Sequence, residues 1–241
     1  AESINLQLNQ WKDAIAGNVI LEPEGRNTGP AIALAALQLM HQDPEAIMVV
    51  VPADHVVKAS KKFMQAVQFA SELAENGHLV TFGIQPTRPE TGYGYIQPLK
   101  RRKVGTKGTF IGYSVARFVE KPNFKTAQGY CRSGNYFWNS GIFVWKASKI
   151  LSELAIHQPA LTKLLISLQR RLGSEEFPSY LRKVYAKVES LSIGNAVMEH
   201  STQSVVVPVD FGWSDVGSWG NLEEVVPLDK DGNVRNGNII D

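Results

Sequence analysis

The sequence predicts an α/β domain in which a largely parallel sheet is covered by helices. Three observations carry that prediction. Short β-branched runs alternate with helical periodicity between residues 18 and 84, the order expected of right-handed strand–helix–strand crossovers. The run Met48-Val49-Val50-Val51, closed by Pro52, has no polar side, as in a strand buried on both faces. Polar or acidic residues follow the apolar runs at once, at the strand ends where open α/β sheets bind ligands.

Residues 1–11 read as a polar helix, not as the hydrophobic strand that usually starts such a sheet. Residues 18–21 form a short apolar strand, and residues 31–40, almost wholly apolar and rich in Ala and Leu, a buried helix. Pro30 suits the first helical position, with Thr28 or Gly29 as the cap. The polar loop between them, from Glu22 through Arg26 and Asn27, ends on a helix N-terminus. It suits the edge of a base, a ribose or a phosphate, or else it ties itself together. Past the valine strand, Asp54 is either a metal or substrate contact or the cap of the next turn.

Residues 60–76 place Phe63, Val67, Ala70 and Ala74 on one helical face that Gly77 ends, and residues 78–84 are the next strand. In residues 86–96, Gly92 and Gly94 flank Tyr93, which lets backbone amides approach a ligand or simply makes a tight turn. The four cations Lys100 to Lys103, with Gly105 and Gly108 behind them, read as a solvated hairpin tip. The strand 115–119 delivers Glu120 and Lys121, which can divide a sugar phosphate between them or remain a surface pair. A helix over 123–133 follows. Asn139, Ser140 and Gly141 then mark a backbone bent beside a ligand, or an ordinary bulge, before a strand at 142–145.

Residues 147–172 are helical with a break at Pro159, residues 177–184 continue the bundle, and Ser192 caps a short helix through Glu199. Lacking clustered polar groups, these segments are assigned to packing. After a strand at 204–207, Asp215 lies between Trp213 and Trp219; a carboxylate in such company needs a cation or strong donors. Residues 217–226 look like a closing helix, and residues 237–241 like a strand just begun. Both ends suggest a piece of a longer polypeptide.

At 241 residues, 44% hydrophobic, the chain can fill one sizeable core or two small ones. Lys and Arg number 25 against 23 Asp and Glu, a balance that gives no reason to propose nucleic acid or an anionic membrane as partner. The single cysteine, Cys131, excludes an internal disulfide and a Cys-based zinc cluster, and points to a reducing compartment, the cytoplasm. No run reaches the roughly 18 apolar residues of a membrane span, and no signal peptide opens the chain.

Six runs together resemble the mannose-1-phosphate guanylyltransferases, nucleotidyltransferases that make nucleotide sugars. They are Glu22 to Ala36 (EPEGRNTGPAIALAA), Val51 to His55 (VPADH), Phe82 to Ile96 (FGIQPTRPETGYGYI), Phe118 to Pro122 (FVEKP), Trp138 to Phe143 (WNSGIF) and Phe211 to Trp219 (FGWSDVGSW), in family order along essentially the whole chain. The resemblance implies a Rossmann-like nucleotide-diphospho-sugar transferase fold with a mixed, mostly parallel sheet. Residues 1–241 would be a single domain, residues 228–241 starting a downstream segment.

It also implies condensation of GTP with α-D-mannose 1-phosphate to GDP-mannose and pyrophosphate, as in polysaccharide biosynthesis, with a homodimer allowed. By the same resemblance, Asp54 and Asp215 hold one Mg²⁺, while Arg26, Asn27 and Thr28 line the guanosine side with Glu22 as a base contact. Glu120 and Asn139 meet mannose hydroxyls, Lys121 the sugar phosphate, and Gly94, beside Tyr93, the sugar through its backbone. The chemistry needs no general base, because the sugar phosphate is already ionised, so no histidine is promoted, His55 included.

Two departures stand out. The family's first strand and Gly-rich loop, with its Arg and Lys, have no counterpart in residues 1–19, which implies that the chain alone is inactive or impaired. At 192–199 the family tends to carry Asp and a bulkier residue where this chain has Gly194 and Asn195, and a Gly there costs a short helix about 1 kcal/mol relative to Ala. A non-catalytic nucleotide-sugar-binding or regulatory module is the alternative function. A glycosyltransferase consuming GDP-mannose is disfavoured, because no strand end carries a short Asp-x-Asp run.

Overall fold

The computed structural model describes residues 19–217, with Val226 and Asp229. The helix expected at 1–11 and the strand expected at 237–241 lie outside the described residues, as does the closing helix at 217–226 apart from Gly217 and Val226. In chain order the elements begin with α1 (Thr28–Gln42), β1 (Ile47–Val50), β2 (Val56–Val57), α2 (Ser60–Glu75) and β3 (Leu79–Ile84). Then come β4 (Tyr95–Lys107), β5 (Phe110–Val119), α3 (Phe124–Ser133) and β6 (Phe137–Lys146). They end with α4 (Ala147–His157), α5 (Pro159–Gln169), α6 (Phe177–Tyr185), a π-helical turn (Gly194–Met198), β7 (Ser204–Pro208) and β8 (Trp213–Ser214).

Six strands form one sheet in the order β1-β6-β3-β7-β5-β4, and β2 pairs with β8 in a separate ribbon. The sheet is mixed and flanked by helices, as expected, but not mostly parallel: β3 with β7 is the one parallel pair among the described strands. The cause is β6, which inserts between β1 and β3 antiparallel to both, so those two strands run the same way without touching.

Helices cover both faces. On one side α1, α4, α5 and α6 pack with Met48, Leu79 and Trp145; on the other α2 packs with Val80, Phe82, Val144 and Val205. Neighbours Leu79 and Val80 thus serve opposite cores, as strand alternation requires. The central strands β3 and β7 have both faces covered, so that even their polar residues Thr81 and Ser204 are buried.

Three expectations about strands fail. β1 is not buried on both faces: it pairs with β6 alone among the described strands, and Val49 and the following Val51 remain 41% and 53% exposed. Residues 19–21 form no strand, and their side chains are exposed. The cations Lys100 to Lys103 sit in the exposed middle of β4, while the hairpin turns at Gly108, φ 57°. Gly105 and Gly112 lie under α2, where a Cβ on either would come within 2.8 Å of Leu73.

Candidate active site

Strands β4, β5 and β6 bring three of the expected sugar contacts together. Gly94 accepts a backbone hydrogen bond from Asn139 N at 2.8 Å, and a Cβ on Gly94 would lie 3.0 Å from Glu120 Oε2 and 3.3 Å from Asn139 Cβ. Thr81 Oγ1 lies 2.9 Å from both the Asn139 amide and the Ile142 carbonyl oxygen, which anchors the Asn139 side chain in place. The Asn139-Ser140-Gly141 set is a bulge: from Asn139 to Phe143 β6 advances four positions while β3, from Gly83 to Thr81, advances two. Gly141, at φ 73°, turns the bulge against Pro52 and His55.

Glu120 is half buried, and burial pushes its carboxyl above the usual range, with nearby Lys121 opposing that rise and Glu199 adding to it. Lys121 is exposed and holds the left-handed backbone region at φ 44°, a turn that sends its side chain off the strand line. The corner is gripped from a segment assigned on sequence to packing. Glu120 N donates to Glu199 at 2.8 Å, and Asn195 Nδ2 supports Glu199 at 3.0 Å. A Cβ on Gly194 would fall 2.5 Å from Glu120 Oε2. Gly194 therefore makes room for the carboxylate, and the expected α-helix is a π-helical turn with Ser192 Oγ accepting from Asn195 N.

Together Thr28, Pro52, Glu120, Asn139 and Gly194 line a cavity of about 320 Å³ between α1 and the sheet. Of the guanosine-side residues, Thr28 alone lines it. Asn27, not Thr28 or Gly29, caps α1, accepting from Thr28 N at 2.8 Å with φ 67°. Arg26 bonds Glu24 at 2.8 Å, its carbonyl accepts from Leu191 N, and Gly29 N donates to Leu191 O. Glu22 accepts from the buried Tyr185 hydroxyl at 3.0 Å, and burial beside that carboxylate pushes the Tyr185 pKa up. Loop and 191–193 segment are thus built as one unit.

The β2–β8 ribbon brings both acids to one histidine, His55. One step beyond its last pair, Val56 with Ser214, come His55 on one strand and Asp215 on the other, with Asp54 next. The ribbon continues the other way through Lys58 N to Gly212 O and Ala59 N to Phe211 O. Asp215 Oδ1 accepts from the Tyr93 hydroxyl and from Gly217 N. His55 Nδ1 accepts from the Trp213 indole N–H at 3.1 Å, so the ring proton sits on Nε2, 3.9 Å from Asp54 Oδ1. Burial lowers the His55 pKa against the pull of both Asp54 and Asp215, which favours the neutral ring.

Asp54 itself is 86% exposed, beyond the cavity rim at Pro52. Carboxylate oxygens suit Mg²⁺, which keeps several of its waters and so asks few ligands of the protein, and among the described residues no group of three or more His, Cys, Asp and Glu could hold a metal. Tyr93, expected among the substrate-binding residues, donates its hydroxyl to Asp215 and packs edge-on against Trp138 and Trp213. Sequence reasoning missed the roles of Glu199, Gly194 and Trp213 and the Tyr93–Asp215 bond, because each depends on a partner distant along the chain.

Over residues 1–232 the chain matches the nucleotidyl transferase family. It is 45% identical over 232 residues to a mannose-1-phosphate guanylyltransferase of Klebsiella pneumoniae, a match covering 96% of this chain and 48% of that protein. A xanthan biosynthesis protein of Xanthomonas campestris pv. campestris is 46% identical over 223 residues, covering 92% and 46%. The chain spans about half the length of these curated relatives. Among solved structures, a mannose-1-phosphate geranyltransferase from Thermus thermophilus shares 33% identity with a TM-score of 0.77, over 93% of this chain and 62% of that one. A mannose-6-phosphate isomerase from Helicobacter pylori shares 30% with a TM-score of 0.70, over 87% and 79%.

Proposed function

Because the chain belongs to the nucleotidyl transferase family, we propose that it condenses GTP with α-D-mannose 1-phosphate to GDP-mannose and pyrophosphate in a Mg²⁺-dependent reaction. The observation that carries the reading is the β2–β8 ribbon, which brings Asp54 and Asp215 to the same histidine, His55, at the strand ends. Relatives that bear the guanylyltransferase name support the choice of substrates.

A sugar-phosphate oxygen forms the new bond to the α-phosphorus of GTP while the bond to the β-phosphate breaks and pyrophosphate leaves. No proton need move, so catalysis rests on bringing anions together in line. Asp54 and Asp215 hold the Mg²⁺, which when bound neutralises phosphate charge. The Tyr93 hydroxyl and Gly217 N fix the Asp215 carboxylate in direction. Glu120 accepts from mannose hydroxyls, the Asn139 amide hydrogen-bonds to them, Gly94 offers its backbone, and the Lys121 ammonium meets the sugar phosphate. Thr28 lines the guanosine side with Asn27, Arg26 and Glu22.

Pyrophosphate release from GTP and mannose 1-phosphate tests the reading. Asp54→Asn and Asp215→Asn should each lower turnover about 100-fold or more, the scale of losing one charge-stabilising group, with the fold intact by circular dichroism. Turnover that neither substitution changes removes the pair from the reaction.

A further inference from the structure

Glu199 is exposed, yet both oxygens of its carboxylate are engaged: Oε1 accepts from Glu120 N at 2.8 Å and Oε2 from Asn195 Nδ2 at 3.0 Å. The segment that carries it is tied down along its length. Ile193 N donates to Thr28 Oγ1 at 2.9 Å, at the start of α1, and Gln158 Nε2, between α4 and α5, donates to Ala196 O at 3.3 Å. Just past Glu199, the Ser201 hydroxyl donates to Glu153 of α4, a carboxylate only 4% exposed that also takes the Lys149 ammonium at 2.7 Å. Glu199 is thus fixed in place and does not swing through solvent.

The backbone N–H of Glu120 asks only for an acceptor, and a neutral amide or hydroxyl would serve it as well. A carboxylate there adds a like charge, which together with burial raises the Glu120 pKa. For stability alone that choice is unfavourable, and like-charge neighbours held by a fold against such a cost are characteristic of functional sites. What the charge supplies is basicity: a carboxylate that binds its own proton more tightly also accepts a hydroxyl hydrogen bond more strongly. Gly194 completes the arrangement, since a Cβ there would fall 2.5 Å from Glu120 Oε2 and push that carboxylate out of its place.

We infer that Glu199 is a positioning residue for the sugar: through the Glu120 backbone it fixes where that carboxylate stands, and its own charge makes Glu120 a stronger acceptor for a sugar hydroxyl. The inference rests on the reading that Glu120 meets mannose hydroxyls. Glu199 therefore acts on the sugar end of the ligand and not on the nucleotide end.

Calorimetric titration of the full chain with GDP-mannose and with GDP, each in the presence of Mg²⁺, separates the two ends. Glu199→Ala removes the anchor and should cut the affinity for GDP-mannose about tenfold, the scale of one charge-assisted hydrogen bond, while leaving that for GDP unchanged. Glu199→Gln keeps an acceptor for the Glu120 N–H and should restore most of the affinity at neutral pH. Without the neighbouring charge, Glu120 stays ionised further down in pH, so this variant should hold GDP-mannose to a lower pH than the parent does. A merely structural Glu199 would lose both ligands together and leave the acid limb where it stands. Affinity for GDP-mannose that Glu199→Ala leaves intact, an equal loss for GDP, or an acid limb that Glu199→Gln does not move overturns the inference. A parent chain that binds GDP-mannose no better than GDP removes the sugar contacts of Glu120 themselves and this inference with them, so the two failures are told apart.

Discussion

Glu120 shows what one side chain costs the fold in order to serve the site. Burial raises its pKa, so above that value the folded chain holds a charge that water would hold better, and the penalty disappears on acidification through the raised pKa towards 4.5. Glu120→Gln, which keeps the shape and drops the charge, should raise the midpoint of urea unfolding at pH 7 and lose that advantage at pH 4. Because sugar hydroxyls then lose a charged acceptor, KM for mannose 1-phosphate should rise about tenfold, the scale of one charge-assisted hydrogen bond. A lower midpoint at pH 7 would mean that Glu120 earns its place by contacts within the fold. Glu120 and Asn139 were legible as strand-end polar groups beside turns. Glu199 was not, because its partner lies 79 residues away and nothing in its own neighbourhood marks it.

At the scale of elements, the β2–β8 ribbon is short enough for one residue to undo. Gly212 holds φ 67°, and a Cβ there would also press on Lys58 at 2.9 Å. Gly212→Ala should therefore cost about 1–3 kcal/mol of stability and weaken Mg²⁺ binding at the acid pair, read by urea unfolding and by isothermal titration. Stability and metal affinity that both match the parent would show that the ribbon does not set the acids. Helix α2 was legible to within a residue because its apolar period is local. The ribbon and the edge position of β1 were not, since each depends on which distant strand arrives as neighbour. A run of valines cannot reveal that β6 covers one of its edges only.

The whole molecule carries a pH dependence that no single element displays. Burial lowers the pKa of His78 at the start of β3, opposed by its backbone bond to Gln203 and reinforced by Lys149 and Arg102, and burial lowers that of His55 as well. A histidine whose folded pKa lies below 6.5 binds fewer protons folded than unfolded. Its stabilising contribution is thus complete above that value and is lost as pH falls through the folded pKa. Glu120 acts in the opposite sense, but its interval starts from 4.5 upwards and one carboxylate faces two histidines. Between pH 7.5 and 5.5 the urea midpoint in EDTA should fall, and His78→Gln, which cannot gain the proton, should remove part of the fall. A midpoint that is level across the interval, or a fall that His78→Gln leaves untouched, would place the buried charge cost elsewhere. The fall belongs to the whole fold, since His78 precedes the strand that divides the two cores while His55 lies against Gly141 of the β6 bulge.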